Sequence, residues 1–555
     1  MKPEFKLTQA IALLLLTGAA ASPAWAADNT ATADRLIERI VRQETHFVNQ
    51  LRSRTAIVET YIQETPPERD HATVVRDHYF LGKAAFAGPI KYQPMVSRSE
   101  PVHMNRLRGL FKGRTSAFMA EGFAQMTLID AEGFSRKTYR IDYIRREFLG
   151  ELRCLIFDVE PLDLKAAGRF RGRIWVEDRD FQIVRFNGTY TNSSSSHLYF
   201  HFDSWRVNVA AGQWVPAFVY AEESGLPDKA SQMPHFKAQT RLWGYLSASH
   251  TRADELASIV VEAEAGVKEE GSVETTPLEN QRSWEGQAEA NILDRLEKAG
   301  LLAPAGPVDD VLDTVVNNLI AANGLNLEAR CRVLLTTPLE TFSVGRTIVI
   351  SRGLIDVLPD EASLAVVLSG ELAHIALGHR TNTQFAFADQ TMLGESALLG
   401  RLRLARSIDE VQTAGTRAVE LLGISPYGTR LATAGLFLKA LEAQASQLPN
   451  LIRANLGNQL ASGSSLLQMK ELANRAPALE RDKLEQLAAL PLGSRIHMDP
   501  WSGEVVLTTS KPVALLSARD KLPFEVTPFM ISLSRAETRK KEQNLGSDVP
   551  APGQR

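Results

Sequence analysis

Cysteine is nearly missing from this chain. Its 555 residues include two, Cys154 and Cys331, far apart and each in an apolar, strand-like setting. That scarcity excludes a disulfide-built scaffold and a cysteine metal cluster, and the two are expected as separate buried thiols. An excess of positive charge is missing as well. The formal net charge is -3 and no basic stripe is concentrated anywhere, which argues against nucleic acid as a partner. There is no internal repeat, no phosphate-binding glycine loop and no Gly-x-Ser-x-Gly elbow. Past the N-terminus no unbroken apolar run reaches the roughly 20 residues of a membrane-spanning helix. The richest stretch, Leu354 to Leu377, is interrupted by Asp356, Asp360, Glu361, Glu371 and His374.

What is present begins with an export signal. Lys2 and Lys6 precede an apolar run from about Ala10 to Ala20, and Pro23 with Ala24-Trp25-Ala26 predicts cleavage before Ala27. Residues 1–26 are thus expected to be a signal peptide and the protein to be periplasmic or secreted. Residues 27–55 carry helical spacing through Leu36, Ile40, Phe47 and Leu51. From 56 to 250 the period shifts towards two, in segments such as Arg173-Ile174-Trp175-Val176-Glu177 and Gln182-Ile183-Val184-Arg185-Phe186, with a turn at Asp178-Arg179-Asp180 and a polar loop at 192–196. Residues 251–289 are acidic, polar and read as a linker. Helical periodicity resumes over 290–450 and continues through 451–489. A small β appendage is expected at 490–535 and a disordered tail at 536–555. The fold class is therefore α+β and multi-domain: a curved antiparallel sheet, then a mainly helical domain with a short edge sheet.

The chemistry concentrates in Gly370-Glu371-Leu372-Ala373-His374. This is the zinc-peptidase helix H-E-x-x-H with glycine in place of its first histidine. In that motif two histidines one turn apart hold zinc and the glutamate is the general base. Asp360 is placed to cap the helix. Upstream, Glu340-Thr341-Phe342-Ser343-Val344-Gly345 and Thr347 to Ser351 read as strand, turn and strand.

In this order and spacing, residues 290–445 resemble the HtpX/BepA-like gluzincin zinc metallopeptidases. The resemblance implies a zinc site and an edge strand, at Thr341, Phe342, Ser343, Val344 and Gly345, that binds an extended polypeptide. It places the general base on Glu371 and one zinc ligand on His374. The first histidine ligand falls on Gly370 and the third, a glutamate on a later helix, on Thr413. With two ligand positions lost, a single histidine is no zinc site, and zinc is doubtful. Substitutes exist in Asp409, Glu410 and His379. Five residues turn a helix by about 500°, however, so His379 should point some 140° away from His374. Segments 150–161, 172–177 and the strands to Tyr220 resemble the LolA-like lipoprotein-carrier fold, which implies a concave face for acyl chains.

The leading expectation is a pseudo-peptidase that binds polypeptide or lipoprotein in envelope protein handling. Two alternatives stay open: an active zinc endopeptidase with unusual ligands, and a lipid or lipoprotein carrier working through the β half. A further expectation concerns Gly370. Glycine inside a helix costs about 1 kcal/mol against alanine, so either another segment packs close to it and fills the former metal pocket, or the position has decayed neutrally.

Overall fold

The computed structural model describes residues 24–66, 74–96, 118–131, 133–191, 200–223, 235–247, 276–388, 395–493, 495–508 and 514–536. Most of the expected signal peptide, the polar loop at 192–196, most of the acidic linker and the C-terminal tail lie outside them.

Helix α1 (Ala24–Arg52) leads into a ten-stranded antiparallel sheet. Its strands are β1 (Arg54–Glu64), β2 (Arg76–Ala85), β3 (Lys91–Pro94), β4 (Tyr139–Leu149), β5 (Leu152–Pro161), β6 (Phe170–Glu177), β7 (Ile183–Tyr190), β8 (His201–Ala210), β9 (Gln213–Glu223) and β10 (Phe236–Ser247), with α2 (Ala120–Gln125) between β3 and β4. The order across the sheet is β3-β2-β1-β10-β9-β8-β7-β6-β5-β4. Alternation makes it: Leu155, Phe157 and Val159 of β5 point into an aromatic-rich core with Ile37 and Ile40 of α1, while Cys154 and Ile156 join the other face. The expected turn at 178–180 joins β6 to β7, with Glu177 N donating to Gln182 O at 2.9 Å.

The second half is helical around a small mixed sheet. Its helices are α3 (Pro277–Lys298), α4 (Pro307–Ala322), α5 (Arg352–Val357), α6 (Glu361–Ala376), α7 (Glu395–Leu399), α8 (Ile408–Ile424), α9 (Leu431–Gln444), α10 (Pro449–Ile452) and α11 (Lys470–Arg475). Strands β11 (Arg330–Leu334), β12 (Glu340–Val344), β13 (Thr347–Ser351) and β14 (Asn458–Gln459) lie in the order β11-β13-β12-β14. Two short hairpins follow, β15 (Ala461–Ser462) with β16 (Ser465–Leu466), and β17 (Ile496–Met498) with β18 (Val505–Leu507). The architecture is mixed α+β. Among the described residues no helix is long and apolar enough to cross a membrane. Cys154 and Cys331 are buried and unpaired with each other.

Two expectations are corrected here. The linker was read to residue 289, yet α3 starts at Pro277, opened by a reciprocal cap between Thr276 and Glu279. Its first three turns are solvated, so their composition mimics a linker. The 451–489 stretch is not a helical segment: it holds only α10 and α11, with β14, β15 and β16 between them. Its leucines and alanines dock as an irregular strap, and Gly457 shows why a helix fails. An added Cβ there would stand 2.5 Å from both Phe342 Cδ1 and Thr341 O.

The two halves share one apolar core, from Val58 and Trp243 in the large sheet through Leu296, Leu312, Phe342 and Leu368 to Phe524 and Leu533. The expected C-terminal appendage is built into it, since Gln63 Nε2 donates to Phe524 O at 2.8 Å and Val526 N donates back to Gln63 Oε1 at 2.8 Å. At the junction sits the buried Glu59. It accepts from Tyr79 Oη (2.9 Å), Thr337 N (2.6 Å), Thr337 Oγ1 (2.7 Å) and Arg352 Nη2 (2.8 Å). Arg352 is 0 % exposed and also reaches Asp356 at 3.2 Å, whose carboxylate accepts from the backbone of Gly493, Arg495 and Ile496. Gly353 lets this happen: a Cβ there would lie 1.8 Å from Thr337 O.

Breaking a buried ion pair costs about 3–5 kcal/mol; without Glu59, Arg352 keeps only Asp356, and the Thr337 and Tyr79 donors lose their acceptor. Glu59→Ala should therefore lower stability by that amount in chemical denaturation, with Glu59→Gln losing less. A midpoint for Glu59→Ala equal to that of the parent would remove this junction from the account.

Candidate active site

Helix α6 carries the peptidase-like sequence. Asp360 caps its start as expected, its Oδ1 accepting from Ser363 N at 2.8 Å. At its other end Gly378 has φ 71°, and His379 N donates to His374 O at 3.1 Å while Gly378 N donates to Ile375 O at 3.0 Å. This left-handed closure satisfies the last carbonyls and reverses the chain.

The reversal overturns the helical projection of His379. Because α6 ends at Ala376, His379 folds back over His374, and the two Nδ1 atoms are 2.8 Å apart in a hydrogen bond. Burial, against the nearby Glu371 carboxylate and with Arg406 and His379 adding, holds the His374 imidazole below its usual range, so it is neutral at pH 7.

Glu371 is 1 % exposed. Its Oε1 accepts from Thr341 Oγ1 at 2.8 Å and from Asn458 Nδ2 at 2.9 Å, while Oε2 is buried without a hydrogen-bond partner. A position for Cβ on Gly370 lies 3.3 Å from Gln468 Oε1 and 3.5 Å from Met469 Cε. The same strap passes α8, where a Cβ on Gly415 would be 4.0 Å from Met469 N. Gln468 is buried with its Nε2 unpartnered, and Met469 adopts φ 56°, ψ 27°, a left-handed backbone unusual for a side chain of its size. The space beside Gly370 is thus filled, and the filler comes from the C-terminal strap.

Thr413 is exposed on α8, in an open depression that Leu377 at the end of α6 also lines, and its hydroxyl donates to Asp409 O at 2.8 Å. Ala414 and Ala418 take the buried face. Of the imagined substitutes, Asp409 is exposed and Glu410 is held by Ser407 in a reciprocal cap. Its carboxyl is lowered first by the Ser407 backbone N–H.

The expected substrate strand is already occupied. All of β12 is buried, with Phe342 and Val344 in the core. Along its outer side Glu340 and Thr341 pair with Gln459 and Asn458 of β14. Ser343 O accepts from Arg406 Nη2 at 3.3 Å and from Thr381 Oγ1 at 3.5 Å, and Gly345 N donates to Thr381 Oγ1 at 3.0 Å. The free edge expected at 341–345 is therefore lined by the chain's own residues. Asn458, Gln468, Met469, Arg406 and Thr381 were not singled out from the sequence. Each comes from a segment whose path across the cleft is set by tertiary docking, and no local motif marks it.

A zinc ion does not fit this donor set. Gly370 offers no donor, and the Gln468 and Met469 side chains stand in its place, so His374 Nε2 has no second histidine beside it. Among the described residues no three His, Cys, Asp or Glu side chains converge on one point.

Overpacking a filled site costs about 1–3 kcal/mol. Gly370→Leu should destabilise by that amount, and the penalty should shrink in a Met469→Ala background. Equal penalties in both backgrounds would show that the strap does not touch Gly370.

Residues 309–446 match Peptidase family M48. The chain is similar to a solved LolA superfamily protein from Nitrosomonas europaea, at 12% identity and TM-score 0.25, covering 40% of this chain and 96% of that one. It is also similar to a domain from Vibrio parahaemolyticus described as an outer membrane lipoprotein-sorting protein, at 8% identity and TM-score 0.21, covering 39% and 97%. No curated protein matches the sequence. With its capped helix, strand hairpin and retained Glu371 and His374, the segment 309–446 is a metallopeptidase-like domain of the M48 gluzincin type.

Proposed function

We propose that this M48-type domain is a pseudo-peptidase: a non-hydrolytic platform in an exported protein that handles envelope polypeptides or lipoproteins. The observation that carries the reading is the occupied cleft. Gln468 and Met469 stand beside Gly370, where the first zinc ligand would project, and Glu371 Oε1 is spent on Thr341 and Asn458. A general base needs a reacting proton within hydrogen-bond reach, and a zinc-bound water needs a metal held by three protein ligands. The retained carboxylate instead ties three segments together: α6, β12 and the strap.

The export signal expected from the sequence at 1–26 is what supports an envelope location. A client strand on β12 would have to displace Asn458, Thr381 and Arg406, so client binding falls to surfaces outside the former cleft.

Metal analysis of the purified protein with a casein cleavage assay tests the reading. The expected result is zinc far below one per chain and cleavage equal to that of Glu371→Gln. Gly370→His with Thr413→Glu should gain neither zinc nor activity, because position 413 faces solvent and the strap still fills the pocket. Tightly held zinc near about one per chain, lost in His374→Ala, would overturn the proposal.

A further inference from the structure

Strand β4 ends the ten-stranded sheet, and among the described residues only β5 pairs with it. It runs for 11 residues, Tyr-Arg-Ile-Asp-Tyr-Ile-Arg-Arg-Glu-Phe-Leu, with no proline, glycine or lysine. Its bulge and five charged side chains are devices that discourage unrelated strands from pairing with an edge, yet it displays Tyr143 at 50 % and Phe148 at 67 % exposure.

A bulge sets the faces of this strand. Tyr143 pairs with Phe157 and Arg145 with Ile156, so Ile144 is the extra residue. Before the bulge Arg140 and Asp142 lie opposite Glu160 and Asp158; after it Arg145 and Glu147 lie opposite Ile156 and Cys154. Because 154, 156, 158 and 160 share one face of β5, all four charged residues share one face of β4. A regular strand would have split them between the two faces. The resulting order is plus, minus, plus, minus.

We propose that the outer edge of β4 associates with the β4 edge of a second copy of this chain, antiparallel, with Arg140 facing Glu147 and Asp142 facing Arg145. Reversing an alternating row sets every charge against its opposite, whereas a parallel copy would set like on like. The same register brings Phe148 of one copy beside Tyr139 of the other, and Ile141 beside the stem of Arg146, on the other face. The present partners are cheap to give up. Arg145–Glu147 at 2.8 Å and Arg140–Asp142 at 3.0 Å are pairs within one strand, Arg140 also pairs with Glu160 of β5 from the other side, and all are at least one-third exposed, a class that contributes little. Charge self-complementarity singles out the second copy over an unrelated strand.

Sedimentation velocity across about 1–200 µM, a range suited to a small interface, tests this with the full protein. A reversible dimer is expected, with amide exchange at 142–147 slowing as concentration rises. Asp142→Arg meets Arg145 of the other copy twice per dimer and should weaken association about tenfold. The swap Asp142→Arg with Arg145→Asp should restore it. A monomer throughout the range, a dimer indifferent to Asp142→Arg, protection confined elsewhere, or a swap as weak as the single variant would each overturn the proposal.

Discussion

The buried carboxylate of Glu59 is the constraint on which the two halves depend. It leaves the centre of β1 and meets four donors from three elements: Tyr79 in β2, Thr337 before β12, and Arg352 at the start of α5. Arg352 passes the connection to Asp356, and Asp356 to the backbone at 493–496. Charges taken out of water gain little net stability from one another, but each is costly to strand alone. Such a network therefore fixes relative position more than it adds stability. It pins both ends of the β12–β13 hairpin, and so the wall of the cleft, to the large sheet.

Behind that wall the peptidase-like motif takes part in packing. Glu371 and His374 of α6 both bond to partners within the chain. The carboxylate holds Thr341 and Asn458, and the imidazole holds His379. Asn458 serves twice, pairing with Thr341 along the strand and donating to Glu371 from its side chain. The stretch from β14 to Met469 thus closes the strand edge and fills the space beside Gly370 together. Glycine at 370 and the seating of Met469 are mutually consistent, because a side chain at 370 would have to share the volume that Gln468 and Met469 occupy.

The sequence made the large sheet legible because its strands alternate cleanly, as in Leu155, Phe157 and Val159 against Cys154 and Ile156. Capping chemistry made Asp360 legible for the same local reason. The misreadings arose where a local rule ran past the end of its element. His379 was projected along a helix that Gly378 terminates. Motif spacing places the third ligand position on Thr413, on the exposed side of α8, whose buried face is set by Ala414 and Ala418. The polar start of α3 looked like a linker because a solvated helix has a linker's composition. The strap at 451–489 carries helix-forming residues, but close approaches such as Gly457 against Thr341 and Phe342 decide its path, and no short window of sequence contains them.

The occupied edge of β12 also has a kinetic and thermodynamic meaning. Asn458, Thr381 and Arg406 are tethered to the strand they cover, so they act as an intramolecular ligand whose effective concentration, as for any short tether, is in the millimolar range or above. A foreign strand arriving at micromolar concentration competes at a disadvantage of about a thousandfold before its own contacts are considered. The groove is thereby insulated from the unfolded chains of a crowded compartment. Its sequence can drift without risk of promiscuous capture.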